Sequence, residues 1–128
     1  MRRLFVVLFA FILAAFIVFW IVFYRSFQMP IEDPSQNGIY LYTKIGCPYC
    51  YKAQEYITEQ YPNLNIEIKI VRTQQDLKLM FACADRVHIN RMKLGTPLIC
   101  MPKHYILGWD AKNQQLFDEY VAEYLETK

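Results

Sequence analysis

From Leu4 to Tyr24 the chain runs through 21 consecutive apolar or aromatic residues, and a helix needs about 20 such residues to cross a bilayer's hydrocarbon. Beyond this block the pattern breaks into short periodic pieces. Ile39-Tyr40-Leu41-Tyr42-Thr43 is rich in β-formers and apolar at nearly every position, which predicts a central strand covered on both faces. After Cys47-Pro48, the residues Cys50, Ala53 and Ile57 recur at helical spacing until Pro62 stops them. Ile66 to Val71 alternates, predicting an edge strand that buries Ile66, Ile68 and Ile70 and exposes Glu67 and Lys69. Thr73 with Asp76 marks a helix start, and Leu77, Met80, Phe81 and Ala84 hold a helical face in a helix or helix pair running towards Met92. Gly95-Thr96-Pro97 interrupts; Leu98–Met101 and His104–Leu107 then read as two arms of a hairpin that Gly108 ends. In the last element Leu116, Phe117, Tyr120, Val121, Tyr124 and Leu125 form one stripe while Asp118, Glu119, Glu123 and Glu126 face away, the pattern of an amphipathic helix docked on a sheet.

Strand, helix, strand, helix, strand, strand, helix implies an α/β domain: a four-stranded mixed sheet with helices on both faces, preceded by a single transmembrane helix. A cleaved signal peptide competes for the apolar block. Its apolar region is about 7 to 15 residues long and ends in small residues, whereas Phe19, Trp20, Phe23 and Tyr24 occupy that place here. Trp20 and Tyr24 also suit the headgroup boundary of a spanning helix. Between Arg25 and Asn37 periodicity is lost and two prolines appear, as in a tether. The expected organisation is a signal anchor over 1–25, a tether over 26–37 and a folded domain over 38–128. Arg2, Arg3 and the amino terminus outweigh the single Arg25, which places the amino terminus in the cytoplasm and the domain on the extracytoplasmic side, periplasmic or lumenal.

Net charge changes little in this picture. The formal value is +2, but three of the 14 basic residues belong to the anchor and all 12 acidic ones lie beyond it, so the domain is close to neutral. It carries neither a basic field nor a basic stretch interleaved with aromatics, and nucleic acid is excluded as a partner.

Cys47-Pro48-Tyr49-Cys50 carries the chemistry. Between a buried strand and a helix, the first cysteine lies at the helix amino terminus, where free backbone amides and the helix dipole stabilise a thiolate. Cys47 is therefore the expected nucleophile, and Cys50, one turn into the helix on its apolar face, the resolving thiol. Pro48 suits the first turn because its missing amide has no partner there. Zinc is the alternative for such a pair, but Cys83, Cys100, His88 and His104 make no second pair at zinc-site spacing. No metal and no bound cofactor are expected. A purely structural bridge over three residues closes too small a loop to stabilise much. Cys83 and Cys100 read as packed small hydrophobes, with a regulatory or dimer-forming disulfide as the alternative. His88 and His104 read as surface residues, and Met80, Phe81 and the tyrosines of the final helix as core. Thr96-Pro97 is the second feature: with a cis peptide bond, its loop would bring the Thr96 backbone beside Cys47, where an extended peptide could pair with it.

Lys44-Ile45-Gly46-Cys47-Pro48-Tyr49-Cys50, Thr96-Pro97 and Leu107-Gly108-Trp109-Asp110 before a terminal helix together resemble glutaredoxins over roughly 39–125. The resemblance implies a thioredoxin-like (glutaredoxin) fold and a dithiol–disulfide oxidoreductase that uses glutathione as co-substrate. It further implies Lys44 and Tyr49 as neighbours of the bound tripeptide, the Thr96 backbone beside Pro97 as its peptide clamp, and Asp110 as partner of its γ-glutamyl ammonium. A cation at Lys44 also suits a nearby thiolate. The chain has Gly95-Thr96-Pro97 where glutaredoxins usually have Thr-Val-Pro, and Leu107-Gly108-Trp109-Asp110-Ala111 where they have Gly-Gly followed by two acidic residues. The Thr-Pro form is similar to that of thioredoxin-fold enzymes that exchange disulfides directly with protein partners, so both substrate classes stay open. An iron–sulfur carrier, for which Pro48 is unfavourable by the same resemblance, and a non-catalytic membrane interaction domain are the remaining alternatives.

Overall fold

A computed structural model describes all residues except 28–30, in two compact units, Met1–Pro30 and Ile31–Lys128. The first is a single helix, α1 (Arg2–Phe27), long and apolar enough to cross a membrane, with no residue buried.

The second unit contains β1 (Ile39–Thr43), α2 (Pro48–Gln60), β2 (Ile66–Ile70), α3 (Gln74–Arg86), β3 (Leu98–Cys100), β4 (Tyr105–Leu107) and α4 (Ala111–Glu126). The strands form one four-stranded sheet in the order β2-β1-β3-β4. β1 and β2 are parallel, while β3 runs antiparallel to both β1 and β4. These element orders and strand directions are those of the thioredoxin-like fold. Alternation along the strands sorts the core into two layers. Ile39, Leu41, Ile99 and Ile106 pack with Ala53 and Ile57 of α2 and Phe117 and Val121 of α4. On the opposite face Tyr42, Leu98 and Cys100 pack with Met80 and Cys83 of α3. β1 is covered on both faces, as its unbroken apolar run requires.

Local signals set the helix ends. Cys47 is the N-cap of α2 with Pro48 behind it, Thr73 and Asp76 form a reciprocal capping box on α3, and the Asp110 carboxylate accepts the Asn113 amide at the start of α4. Gly108 ends β4 at φ +82°, a conformation that strains any residue with a Cβ.

Four expectations are corrected. The stretch from Ile31 to Asn37, read as tether, is docked on the domain. Asp33 caps a 3-10 turn over Pro34–Gln36, and both Asp33 and Ser35 are buried. Arg86 Nε donates to Asp33 Oδ2 at 2.5 Å, its Nη2 to Ser35 Oγ and Met101 O, and its Nη1 to Pro102 O. The rest of the tether continues α1 at Ser26 and Phe27 or, at 28–30, lies outside the described residues. In β2 only Ile66 packs against the core; Ile68 and Ile70 stay 41% exposed on the sheet edge. Their alternation sets the face they point to, but among the described residues β1 is their only neighbouring strand. The run towards Met92 is α3 followed by a separate 3-10 turn over Arg91–Lys93, divided at His88, which adopts φ +59°. In α4, Leu125 is 55% exposed, and Asp118 is half-buried rather than turned fully to solvent: it accepts hydroxyl hydrogens from Tyr56 at 2.8 Å and Tyr61 at 2.6 Å.

Candidate functional site

Three segments meet at the carboxyl end of β1. The chain leaves the strand through Lys44-Ile45-Gly46, a turn in which Gly46 takes φ +76° and Cys47 N donates to Lys44 O at 3.3 Å. This turn delivers Cys47 to the start of α2, where its Sγ accepts the Cys50 amide at 3.2 Å. Cys47 and Cys50 are disulfide-bonded with Cα atoms 5.3 Å apart. The two sulfurs differ in access: Cys47 is half-buried, whereas Cys50 is 2% exposed. In the reduced state the same amide and the helix amino terminus favour negative charge on Cys47, the sulfur that incoming groups can reach.

Thr96 and Pro97 form the second segment. Their peptide bond is cis, and both the Thr96 carbonyl oxygen and its Oγ1 lie 3.7 Å from Cys47 Sγ. Pro97 is fully buried, and its carbonyl accepts the Gly108 amide at 2.8 Å. That bond links the loop to the third segment, Gly108-Trp109-Asp110. Asn113 Nδ2 braces this turn through Leu107 O and Gly108 O at 2.9 and 3.2 Å. Asp110 is spent in part on its capping bond to Asn113 N at 2.7 Å, and its side chain is otherwise exposed.

The sequence-derived residues thus fall into two sets. Cys47, Cys50, Thr96 and Pro97 come together directly. Tyr49, 57% exposed, and Asp110 both line a groove between α2 and the start of α4, together with Tyr56 and Trp109. Lys44 lies on the surface before Cys47, with no side-chain hydrogen bond or ion pair among the described residues. The four cysteines make two disulfides, and among the described residues no three His, Cys, Asp or Glu side chains gather as metal ligands.

Sequence reasoning missed two features. Cys83 and Cys100, fully buried as the apolar pattern required, form a second disulfide with Cα atoms 6.5 Å apart; nothing in their 17-residue separation pairs them. The Asp33–Arg86 contact had a partial signal in Asp33-Pro34-Ser35, an N-cap followed by proline, but its partner lies 53 residues away. His104, read as a surface residue, is 31% exposed at its side chain, where it stacks on Tyr120 at 4.0 Å and pairs with Glu123 at 2.7 Å.

No protein-family model matches the sequence, and no curated protein matches it. Among solved structures, the crystal structure of a buckwheat glutaredoxin–glutathione complex is similar over 73% of this chain and 76% of that chain, with 13% sequence identity and a TM-score of 0.46.

Proposed function

We propose that this chain is a membrane-anchored dithiol–disulfide oxidoreductase of the glutaredoxin type, with Cys47 as nucleophile and Cys50 as resolving thiol. The observation that carries the reading is the asymmetry of the pair. One sulfur is reachable, caps a helix and accepts an amide, while the other is shielded one turn inside. In the reducing direction the Cys47 thiolate attacks one sulfur of a substrate disulfide, forms a mixed disulfide and expels the other sulfur as a thiolate. The Cys50 thiolate then attacks Cys47 Sγ, closes the Cys47–Cys50 bridge and releases the second substrate thiol. Two electrons pass from the protein to the substrate, and run in reverse they oxidise a dithiol.

Glutathione is the proposed co-substrate, two molecules of it restoring the dithiol as they become glutathione disulfide. Tyr49 and Asp110 line one groove that begins two residues beyond Cys47, and Lys44 is exposed three residues before it. The Thr96 carbonyl and Pro97 supply a polar backbone edge at the sulfur, with which an extended substrate can pair. That open edge and the groove beyond Tyr49 favour a second reading, direct exchange with protein disulfides.

For the anchor we propose α1 as a retained single-pass helix with its amino terminus in the cytoplasm and the redox domain outside. The Cys83–Cys100 bridge supports this placement, since a buried disulfide with no role in the exchange persists in oxidising compartments.

The test uses the full chain in detergent carrying Cys50→Ser, incubated with oxidised glutathione and weighed intact. One glutathione on Cys47, removed by excess reduced glutathione, is the expected result. No adduct, with ready exchange onto protein disulfides, would replace glutathione by protein partners; no exchange with either would sink the oxidoreductase reading.

A further inference from the structure

We infer that the groove between α2 and α4 is a docking surface for an extended polypeptide bearing lysine or arginine beside its cystine, which it presents to Cys47. The inference rests on the proposed thiol chemistry and specifies its substrate. The groove begins at Tyr49, two residues beyond the nucleophile, and follows one stripe of α2 through Tyr56 to Glu59. Its lining includes the rings of Tyr49, Tyr56 and Trp109; the Trp109 indole N–H makes no hydrogen bond among the described residues and is not buried, which leaves it free to donate to a peptide carbonyl.

Its lining is also acidic. Glu55, Glu59 and Asp110 line it against a single cation, Lys52, whose Nζ sits 5.9 Å from the Tyr49 ring centre. Neither glutamate belongs to an ion pair among the described residues, although Asp85, Glu67, Glu123 and Asp33 elsewhere all do. Glu55 and Glu59 stand one helical turn apart, where like charges repel. Aromatic faces and unpaired carboxylates side by side suit cationic side chains, through cation–π contact and charge pairing together. An acidic or neutral chain finds neither. On a docked basic chain, attack by the Cys47 thiolate expels one substrate sulfur, and closure of the Cys47–Cys50 bridge releases the other, so the chain leaves reduced by two electrons.

The experiment uses the full reduced protein in phosphatidylcholine nanodiscs, which carry no net charge, and two peptide disulfides identical except for lysine or glutamate flanking the cystine. Stopped-flow exchange should favour the lysine peptide by about tenfold at low salt, as steering by a few charges gives. The preference should shrink at about 0.5 M salt, where screening is strong, and in the Glu55→Gln/Glu59→Gln protein. Equal rates, a faster glutamate peptide, or a preference indifferent to the double substitution would overturn the inference while leaving the exchange chemistry standing. Fluorescence anisotropy of the same peptides with serine in place of cysteine separates the two claims. Should no disulfide react, tighter binding of the lysine peptide that the double substitution weakens would uphold the docking surface without the enzyme, and its absence would overturn both.

Discussion

The two cysteine pairs lie on opposite faces of one sheet and differ in access and surroundings. Cys47 and Cys50 are three residues apart at a helix start, with one sulfur half-open to solvent and a backbone amide directed at it. Cys83 and Cys100 are 17 residues apart and fully buried, one on α3 and one on β3, packed with Tyr42, Met80 and Leu98. The sulfur chemistry is the same, so what separates the disulfide proposed to exchange from the one proposed as a staple is access and the local donors that stabilise a thiolate. The surroundings extend the contrast. One turn beyond Cys83, Arg86 reaches Asp33 and Ser35 and the carbonyls of Met101 and Pro102, so disulfide and guanidinium both fasten α3 to the end of β3.

The sharpest way to break this comparison is to remove the sulfurs one at a time. Cys47→Ser should lower the rate of disulfide exchange by at least about a thousandfold, the scale on which loss of a nucleophile acts. Cys83→Ser and Cys100→Ser should keep exchange within a few-fold of the parent. Enzyme-coupled turnover of a small disulfide reads both, and a comparable loss at Cys83 would assign the working thiol to the wrong face.

Stability should show the reverse order. Chain-entropy arguments give about 3 kcal/mol for a bridge closing a loop of this length and less for one spanning three residues. The Cys83→Ala/Cys100→Ala protein should therefore lose about 3 kcal/mol in urea unfolding, more than Cys47→Ala/Cys50→Ala loses. An inverted ranking would mean that the buried bridge is not the staple.

Arg86 tests whether the staple is more than sulfur. Its partner Asp33 is 4% exposed at the side chain, and Arg86→Met would leave that carboxylate buried without its cation. A loss of about 2 kcal/mol is expected, discounted for the partial exposure of the guanidinium. Hydrogen exchange at the Ser35 amide should quicken with it, since that amide bonds to Asp33. Arg91→Met, which opens an exposed pair with Asp85, should change little.

Much of this architecture was legible in the chain because the signals were local. Periodicity placed β1, α2 and α4, Thr73 and Asp76 opened α3, and Gly108 closed β4. What escaped was whatever depends on a distant partner. Asp33-Pro34-Ser35 looks like linker until Arg86 is brought beside it. Cys83 and Cys100 look like two separate core residues until α3 is laid across β3. Alternation gave Ile68 and Ile70 a face but could not say whether a helix covers it, and no helix covers them enough to bury them. The same limit governs the site: the motif pointed to Cys47 and Cys50, whereas the joint placement of Tyr49, Trp109 and Asp110 along one groove needs the fold.

The α2 and α4 face has its own polar fastening, and it offers the smallest effect and a distinct signature. Asp118 accepts both the Tyr56 and the Tyr61 hydroxyl. Burial first, and then the Asp118 carboxylate, push both tyrosines above the ordinary phenol range, Tyr61 the more strongly. A group whose folded pKa is raised contributes stability that is fully present below its unfolded value, about 10 for tyrosine, and is lost as pH rises through the folded value. Stability should thus hold up to that pH and fall on the alkaline side. Asp118→Asn should cost about 1 kcal/mol at neutral pH and make the alkaline fall shallower, because the phenols then titrate nearer their ordinary range. Urea unfolding across alkaline pH, with tyrosinate absorbance recorded in parallel, reads both. The Arg86→Met protein should keep the parental alkaline slope, since its lost contacts lie on the other face; an equal flattening there would mean that the two faces do not act independently.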